Sequence, residues 1–456
     1  MNQTVYSSRV FRRVLCGGML TATTALSVLV PPPNSAAQAS FHNSPKAVLD
    51  EAWQIVNREY VDIGFNQVDW QAVRQELLSR DYSSPEAAYA ALRQALDQLN
   101  DPYTRFLDPR QFQALTNQTS GELSGIGIRL QLDANTQRLT VVEPLENSPA
   151  SAAGIQTGDR ILAIDGRSTE GMTVEQASRL IQGEVGTSIT LRIDRPGVET
   201  FDQQLTRARI AVPNVSYTLR QEGGNQIGYI RLTEFSSQAP DQMRRAIRNL
   251  LEQGADGFVL DLRGNPGGLL QASIDISRMW LETGPIVRTV DRSGQSDQIA
   301  ANRTSLTELP LAVLVDGNSA SSSEILTGAL RDNDRAVVVG TRTFGKALVQ
   351  SVHSLSDGSG LAVTVAHYYT PNGTDISQRG IMPDIPVSFS EQERRTLAGD
   401  QTLIGTTADP YYRQALSVLE GTIAEYRQQP TAERSAPSML QLGREPNLGQ
   451  SHELRQ

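Results

Sequence analysis

The sequence predicts a multidomain α+β protein, in which a helical module and a strand-rich domain precede a layered α/β domain. Three observations support this. The chain has 456 residues, more than one domain normally holds. Its apolar residues change from a helical period to short strand-like runs near residue 120. From about residue 210, apolar strands alternate with amphipathic helices, as in layered α/β domains.

The first 39 residues have the pattern of an export signal. Arg9, Arg12 and Arg13 precede an apolar stretch over residues 14–30, and Ala37-Gln38-Ala39 follows as a small-residue cleavage site. We expect cleavage after Ala39. The alternative is an uncleaved membrane anchor, because the apolar stretch approaches the ~18 residues typical of a spanning helix.

Composition excludes several classes of function. The formal charge is -9, and we find no basic stripe in the sequence of the kind that nucleic-acid binding requires. The one cysteine, Cys16, lies in the predicted signal, so the mature chain would have no disulfide, cysteine nucleophile or thiolate metal site. Carboxylates and histidines lack metal-ligand spacing, and we expect no cofactor.

A helical module is predicted for residues 44–116. Its first helix carries apolar residues at helical spacing, and Ser84-Pro85-Glu86 has the pattern of a second helix start. The predicted role is packing or dimer contact, which leaves the protein as a monomer or a dimer, and no residue of the module is predicted to be catalytic. The apolar positions are Leu49, Ala52, Trp53, Val56 and Tyr60.

Residues 117–207 are predicted to form short strands around one helix, which begins at Thr173 with a capping-box spacing to Gln176. The stretches Ser124-Gly125-Ile126-Gly127-Ile128 and Gly158-Asp159-Arg160-Ile161-Leu162 resemble a PDZ domain. The resemblance implies that main-chain N–H groups of Gly125, Ile126, Gly127 and Ile128 hold the carboxylate of a substrate's C-terminus. The alternative is that these glycines only shape a hairpin.

Residues 208–390 carry the α/β alternation, which resembles a crotonase-like spiral. The C-terminal segment, residues 391–456, is predicted to be partly disordered, because beyond about Gln428 it is rich in Pro, Gln, Ser and Glu.

Lysine is rare in this chain. Of 41 basic residues only Lys46 and Lys346 are lysines. A buried lysine can lose its proton and act as a base, whereas arginine stays charged. The alternative is an ordinary surface lysine.

Lys346 follows a serine-rich turn over residues 317–323, which leaves an apolar strand and enters a helix. A serine at such a junction lies near free N–H groups that suit an oxyanion. Helix capping is the alternative role for these serines.

The serine cluster together with Gly345-Lys346, 25 residues after Ser321, resembles the carboxyl-terminal processing, or tail-specific, proteases. The resemblance implies that Ser321 is the nucleophile, Lys346 the general base and Gln350 an amide that orients the amine. If these residues lie on a strand, Lys346, Leu348 and Gln350 share one face.

The same family carries a segment like Asp261-Leu262-Arg263-Gly264-Asn265-Pro266-Gly267-Gly268. By resemblance, the N–H groups of Gly267 and Ser322 form the oxyanion hole. Asp332 matches a family aspartate, for which both a structural pairing and a chemical role remain open.

The sequence therefore predicts an exported serine endopeptidase that holds free C-terminal tails in a PDZ domain and cleaves near them. Its partners would be exported or membrane proteins, in the periplasm or the thylakoid lumen, and the enzyme itself could be membrane-associated. The resemblance extends to enzymes that process the precursor of a photosystem II reaction-centre subunit. Two alternatives are a non-catalytic PDZ adaptor of the cell envelope and an acyl-CoA enzyme.

Overall fold

The structure is a computed structural model and describes residues 44–133 and 136–428. The predicted export signal and the tail beyond Gln428 lie outside the described residues. In the described part of the chain, no helix has the length and low charge needed to cross a bilayer. The N-terminal elements are α1 (Pro45–Glu59), α2 (Trp70–Ser79), α3 (Pro85–Asp97), β1 (Arg105–Leu107) and α4 (Pro109–Ser120).

The strand-rich domain follows. Its strands form a sheet in the order β3-β4-β5-β7-β8, with β6 beside β5, while β2 and β9 pair as a two-stranded ribbon where the chain enters and leaves the domain. The elements are β2 (Glu122–Gly125), β3 (Ile128–Leu132), β4 (Leu139–Pro144), α5 (Pro149–Ala152), β5 (Arg160–Ile164), β6 (Arg167–Ser168), α6 (Val174–Ile181), β7 (Ser188–Asp194), β8 (Phe201–Thr206) and β9 (Ala208–Ala211).

The α/β domain contains a six-stranded sheet in the order β10-β11-β12-β15-β16-β19 and a five-stranded sheet built around β18. The elements are β10 (Val215–Glu222), β11 (Asn225–Leu232), α7 (Ala239–Glu252), β12 (Gly257–Asp261), α8 (Leu270–Trp280), β13 (Pro285–Asp291), β14 (Ser296–Ala300), β15 (Leu311–Val315), α9 (Ser322–Asp332), β16 (Val337–Gly340), β17 (Leu348–Ser354), β18 (Gly360–Tyr369), β19 (Ile385–Pro386), α10 (Glu391–Gly399) and α11 (Pro410–Gln428).

Both faces of the six-stranded sheet are buried. Phe258 and Leu260 of β12 join a core with α7, α8 and α9, whereas Val259 joins a second core with α11. This explains why β15 and the residues of β12 before Asp261 are apolar, as is typical of parallel strands covered on both sides. Helix α11 of the C-terminal segment is therefore part of the α/β domain, whereas the disorder predicted beyond about Gln428 concerns residues outside the described part of the chain.

The N-terminal module is not an independent unit. Its helices share a core with Leu355, Leu361 and Val363 of the α/β domain, and β1 pairs antiparallel with β18. The amphipathic helices bury their apolar faces against this sheet rather than only against each other. The fold class is confirmed, but the module is part of the sheet that borders the site described next.

Candidate active site

Three loops of the α/β domain meet at one edge of the six-stranded sheet. β12, β15 and β16 are adjacent and parallel, so the loops that follow them leave the sheet side by side. These loops carry Gly267, Ser321 and Lys346 in that order. The carboxyl end of parallel strands is the usual place for a site in α/β folds, and here it gathers three of the residues expected from sequence.

Ser321 is the first residue of the turn into α9 and has an unusual backbone, with φ 53° and ψ -112°. Its carbonyl accepts the N–H of Glu324 at 2.8 Å and that of Ile325 at 2.9 Å. A non-glycine residue at positive φ of this kind costs about 1–3 kcal/mol and tends to occur at functional sites.

The buried carboxylate of Glu324 joins the serine loop to the lysine loop. Oε2 accepts the main-chain N–H of Ser321 at 2.9 Å and that of Lys346 at 3.0 Å. Oε1 accepts the Thr343 hydroxyl at 2.6 Å and the Gly345 N–H at 2.7 Å. Burial raises the pKa of Glu324, while these donors oppose the rise. One side chain therefore fixes the spacing of the expected nucleophile and base.

Tyr368 makes a second link between the same loops. It is buried on β18, and its hydroxyl donates to the main-chain oxygen of Ser321 at 3.2 Å and contacts that of Lys346. Burial raises its pKa well above the ordinary value, so the phenol stays neutral and continues to donate.

The side chain of Lys346 lies in a partly closed pocket. Its Nζ lies 4.5 Å from the centre of the Tyr103 ring. Burial lowers the pKa of this amine and Arg105 lowers it further, whereas the carboxylates of Asp101 and Glu324 act in the opposite direction. Within the described ranges Lys346 has no ion-pair partner.

The loop after β12 approaches the serine closely. A Cβ atom on Gly267 (φ 105°) would lie 3.0 Å from Ser321 Cβ and 3.0 Å from Ser322 N. The Ser322 N–H has no protein acceptor among the described residues. The Gly267 N–H differs from the expectation, since it donates to Asn265 Oδ1 at 2.9 Å. One of the two expected oxyanion donors is therefore engaged within the loop.

Arg263 joins this loop to the end of β12 and to the start of α11. Its guanidinium bonds the buried carboxylates of Asp261, at 2.6 Å, and Asp409, also at 2.6 Å. Asp409 immediately precedes α11, so the C-terminal helix braces the loop that carries Gly267.

Gln350 lies on β17, whereas Lys346 lies just before that strand. The strand pairing shifts between Val349 and Gln350. The expected common face requires both residues to lie on one strand, and Lys346 lies outside β17. The extra residue at the shift is Val365 of β18, so β17 itself keeps its alternation. The Gln350 amide instead approaches Thr364 Oγ1 at 3.5 Å.

Asp332 lies at the opposite end of α9 from Ser321. Its carboxylate accepts Arg331 at 2.9 Å and the Asn372 N–H at 3.1 Å. These contacts favour the structural pairing over the chemical role.

The glycine loop of the strand-rich domain has free donors. Among the described residues the N–H groups of Ile126 and Gly127 have no protein acceptor. A Cβ on Gly127 (φ 76°) would lie 2.3 Å from Ser148 Cβ, so this position requires glycine. Ile128 begins β3, an end strand that pairs with β4 and has no second partner strand among the described residues, while Gly125 ends β2. The loop and edge can accept an added strand with a terminal carboxylate.

Sequence reasoning missed three residues of the site. Glu324 has a local signal, since it completes a capping-box spacing from Ser321. Tyr103 and Tyr368 have none, because tertiary pairing on β18 brings them to the lysine.

No group of three or more His, Cys, Asp or Glu side chains in the described ranges could hold a metal ion.

Known proteins resemble this chain over most of its length. Residues 226–387 match the model of peptidase family S41, and residues 140–195 match that of the PDZ domain. A carboxyl-terminal-processing protease of Synechocystis sp. is 42% identical, over 89% of this chain and 93% of its own length.

A chloroplastic C-terminal processing peptidase of Tetradesmus obliquus is 36% identical, over 82% and 84% of the two chains. Among solved structures, a photosystem II D1 C-terminal processing protease matches with a TM-score of 0.51 and 37% identity. This match covers 81% of this chain and all of that one.

Proposed function

Because the chain belongs to the carboxyl-terminal-processing proteases of peptidase family S41 and is a serine protease, we propose that it cleaves proteins near their C-termini by a Ser321–Lys346 mechanism. The observation that carries this proposal is the meeting of the serine and lysine loops on one buried carboxylate, with a lysine of lowered pKa in the pocket. A neutral amine at that position can accept a serine proton.

In the proposed reaction, Ser321 Oγ attacks the scissile carbonyl carbon and its proton passes to Lys346 Nζ. The tetrahedral oxyanion is held by the Ser322 N–H, and by the Gly267 N–H once that group turns from Asn265. The leaving amine takes the proton from Nζ as the C–N bond breaks. Water then attacks the acyl-enzyme carbonyl and gives a proton to Nζ. As the ester bond breaks, Nζ passes this proton to Ser321 Oγ, which releases the new C-terminal carboxylate and restores the free serine and neutral amine.

Gln350 and Asp332 take lesser parts in this proposal. The Gln350 amide orients the lysine pocket through β17, and Asp332 supports the far end of α9 through Arg331. Neither residue needs to contact substrate.

The PDZ domain is proposed to select substrates by their free tails. A peptide would extend the sheet along the open edge of β3, and its carboxylate would accept the N–H groups of the loop over Gly125, Ile126, Gly127 and Ile128. The free N–H groups at Ile126 and Gly127 support this proposal.

We infer that the enzyme is exported and acts on exported or membrane proteins, in the periplasm or the thylakoid lumen. The solved relative is named for processing the photosystem II D1 protein, and a precursor of that kind is the substrate we propose. The alternative of a non-catalytic adaptor is not needed for a serine protease of this family.

The test is the Ser321→Ala variant. It is expected to lose at least about 10³-fold in cleavage rate and to bind a peptide with a free C-terminus as tightly as the wild type does. Both proteins should bind the amidated form of that peptide more weakly. In cells, it should accumulate uncut tails detectable by terminal mass spectrometry. Cleavage at the wild-type rate would place the nucleophile elsewhere, and equal affinity for acid and amide would exclude tail capture.

A further inference from the structure

The pocket of Lys346 has a wall that comes from the N-terminal module. The Tyr103 ring faces Nζ at 4.5 Å, although Tyr103 lies 243 positions before the lysine in the sequence. No other part of the proposed mechanism uses this residue.

Tyr103 is held firmly in place. Its N–H donates to Asp101 Oδ1 at 2.9 Å, and the neighbouring Thr104 hydroxyl donates to the same carboxylate at 2.7 Å. Thr104 Oγ1 in turn accepts the N–H of Thr364 on β18 at 3.0 Å. The next residues form β1, which pairs with β18. The main chain that carries the ring is therefore held to β18, which also pairs with β17, the strand that begins two residues after Lys346.

We propose that Tyr103 is a positioning residue whose aromatic ring covers the Lys346 amine, keeps water from it and holds it ready to accept the proton of Ser321. This inference rests on the proposed Ser–Lys reaction and assigns part of the active-site pocket to the N-terminal module. The ring, rather than the phenol hydroxyl, carries the effect.

The direction in which the pKa of Lys346 should change follows from the charged groups, the ring and the burial around its amine. Arg105 of β1 disfavours the ammonium form, while Asp101, before β1, and Glu324 of α9 favour it. A ring face also attracts an ammonium group, and loss of that attraction alone would lower the pKa by roughly half a unit to one and a half units. Burial can depress a lysine pKa by up to ~3–5 units. Removal of the ring should therefore raise the pKa of Lys346.

The scarcity of lysine makes this directly measurable. With ¹³C-labelled lysine ε-carbons, the full chain should show signals from only Lys46 and Lys346. Lys46 pairs with the fully exposed Asp81 at 3.1 Å and serves as an internal reference. The measurement follows pKa without any substrate, so it can be read even if the proposed peptidase activity fails.

In Tyr103→Ala, the NMR titration midpoint of Lys346 is expected to rise by about one pH unit, while that of Lys46 stays unchanged. Tyr103→Phe keeps the ring and should match the wild type. The kcat/KM profile of Tyr103→Ala should shift to higher pH by the same amount and keep its high-pH plateau. If the alanine variant does not fold by circular dichroism, Tyr103→Leu replaces it, with a smaller rise expected.

Three results would overturn the inference: a Lys346 midpoint that does not move or falls in the alanine variant, a phenylalanine variant that behaves like alanine, or a lowered plateau without a shifted midpoint. The Ser321→Ala protein distinguishes failure of the proposed reaction from failure of the proposed role of Tyr103. If it cleaves normally, the proposed reaction is wrong; if it is inactive and the NMR midpoint of Tyr103→Ala does not move, only the role of Tyr103 is wrong.

Discussion

Helices α9 and α10 begin with the same Ser-x-x-Glu spacing, and in both the glutamate accepts the serine N–H at 2.9 Å, yet the two turns differ in backbone angles and burial. At α10, Ser390 has ordinary extended angles, φ -66° and ψ 158°. Its Oγ accepts the Glu393 N–H at 3.2 Å, and Glu393 accepts the Ser390 N–H at 2.9 Å. This is a reciprocal cap at the surface. At α9, Ser321 lies at positive φ and Glu324 is fully buried.

The difference shows what burial and a neighbouring loop add to a local motif. The Ser390 N–H lowers the pKa of exposed Glu393, whereas burial raises that of Glu324. Glu324 also receives the N–H groups of Gly345 and Lys346, which have no counterpart at α10. The same spacing therefore caps one helix and, in the other, aligns two loops of an active site.

Two glutamine variants distinguish most sharply between the roles of Glu324 and Glu393 in the two turns. Glu324→Gln replaces an acceptor oxygen with an amide NH₂ that faces N–H donors, so it should misplace Ser321 or Lys346. We expect kcat/KM to fall about 10²-fold, the effect of a displacement near 1 Å. Glu393→Gln should leave kcat/KM unchanged. Thermal unfolding of both variants controls for the fold, and a folded Glu324→Gln enzyme of wild-type rate would contradict the alignment role.

Two glycine variants are expected to change the free energy of unfolding in opposite directions, with smaller effects than those of the glutamine variants. Glycine adopts the backbone of Ser321 without the strain of about 1–3 kcal/mol, although it loses about 0.5–1 kcal/mol of chain entropy on folding. Ser321→Gly should therefore raise the free energy of unfolding by about 1 kcal/mol while activity is lost. Ser390→Gly should lower it by a few tenths of a kcal/mol with activity kept. Urea denaturation measures both, and a destabilised Ser321→Gly protein would refute the strain.

Sequence patterns predicted the fold class well because periodicity and turn residues act locally. The helix start at Thr173, for example, has the expected capping box with Gln176. The loops that carry Gly267, Ser321 and Lys346 also lie together, as strand order in a parallel sheet requires.

Features that depend on tertiary pairing could not be predicted from the sequence. The bulge at Val365 of β18 exists only in the register between β17 and β18. Tyr103 precedes a strand of three residues, too short to leave a periodic signal, and only its pairing with β18 brings the ring to Lys346. The turn of the Gly267 N–H toward Asn265 depends on the loop geometry rather than on residue type.

In the proposed reaction the neutral amine of Lys346 takes the proton of Ser321, and the Lys346→Arg variant tests this proton transfer. Burial lowers the pKa of Lys346, so the neutral, active form grows as pH rises through that pKa, and wild-type kcat/KM should rise with pH as one group titrates. Arginine stays protonated. Lys46→Arg alters the other lysine and is the matched control.

The measurement is kcat/KM across pH for both arginine variants and the wild type, with circular dichroism to establish folding. We expect Lys46→Arg to follow the wild-type profile and Lys346→Arg to lose at least about 10²-fold at every pH. A folded Lys346→Arg enzyme that keeps more than about a hundredth of the wild-type rate would contradict the Ser321–Lys346 mechanism.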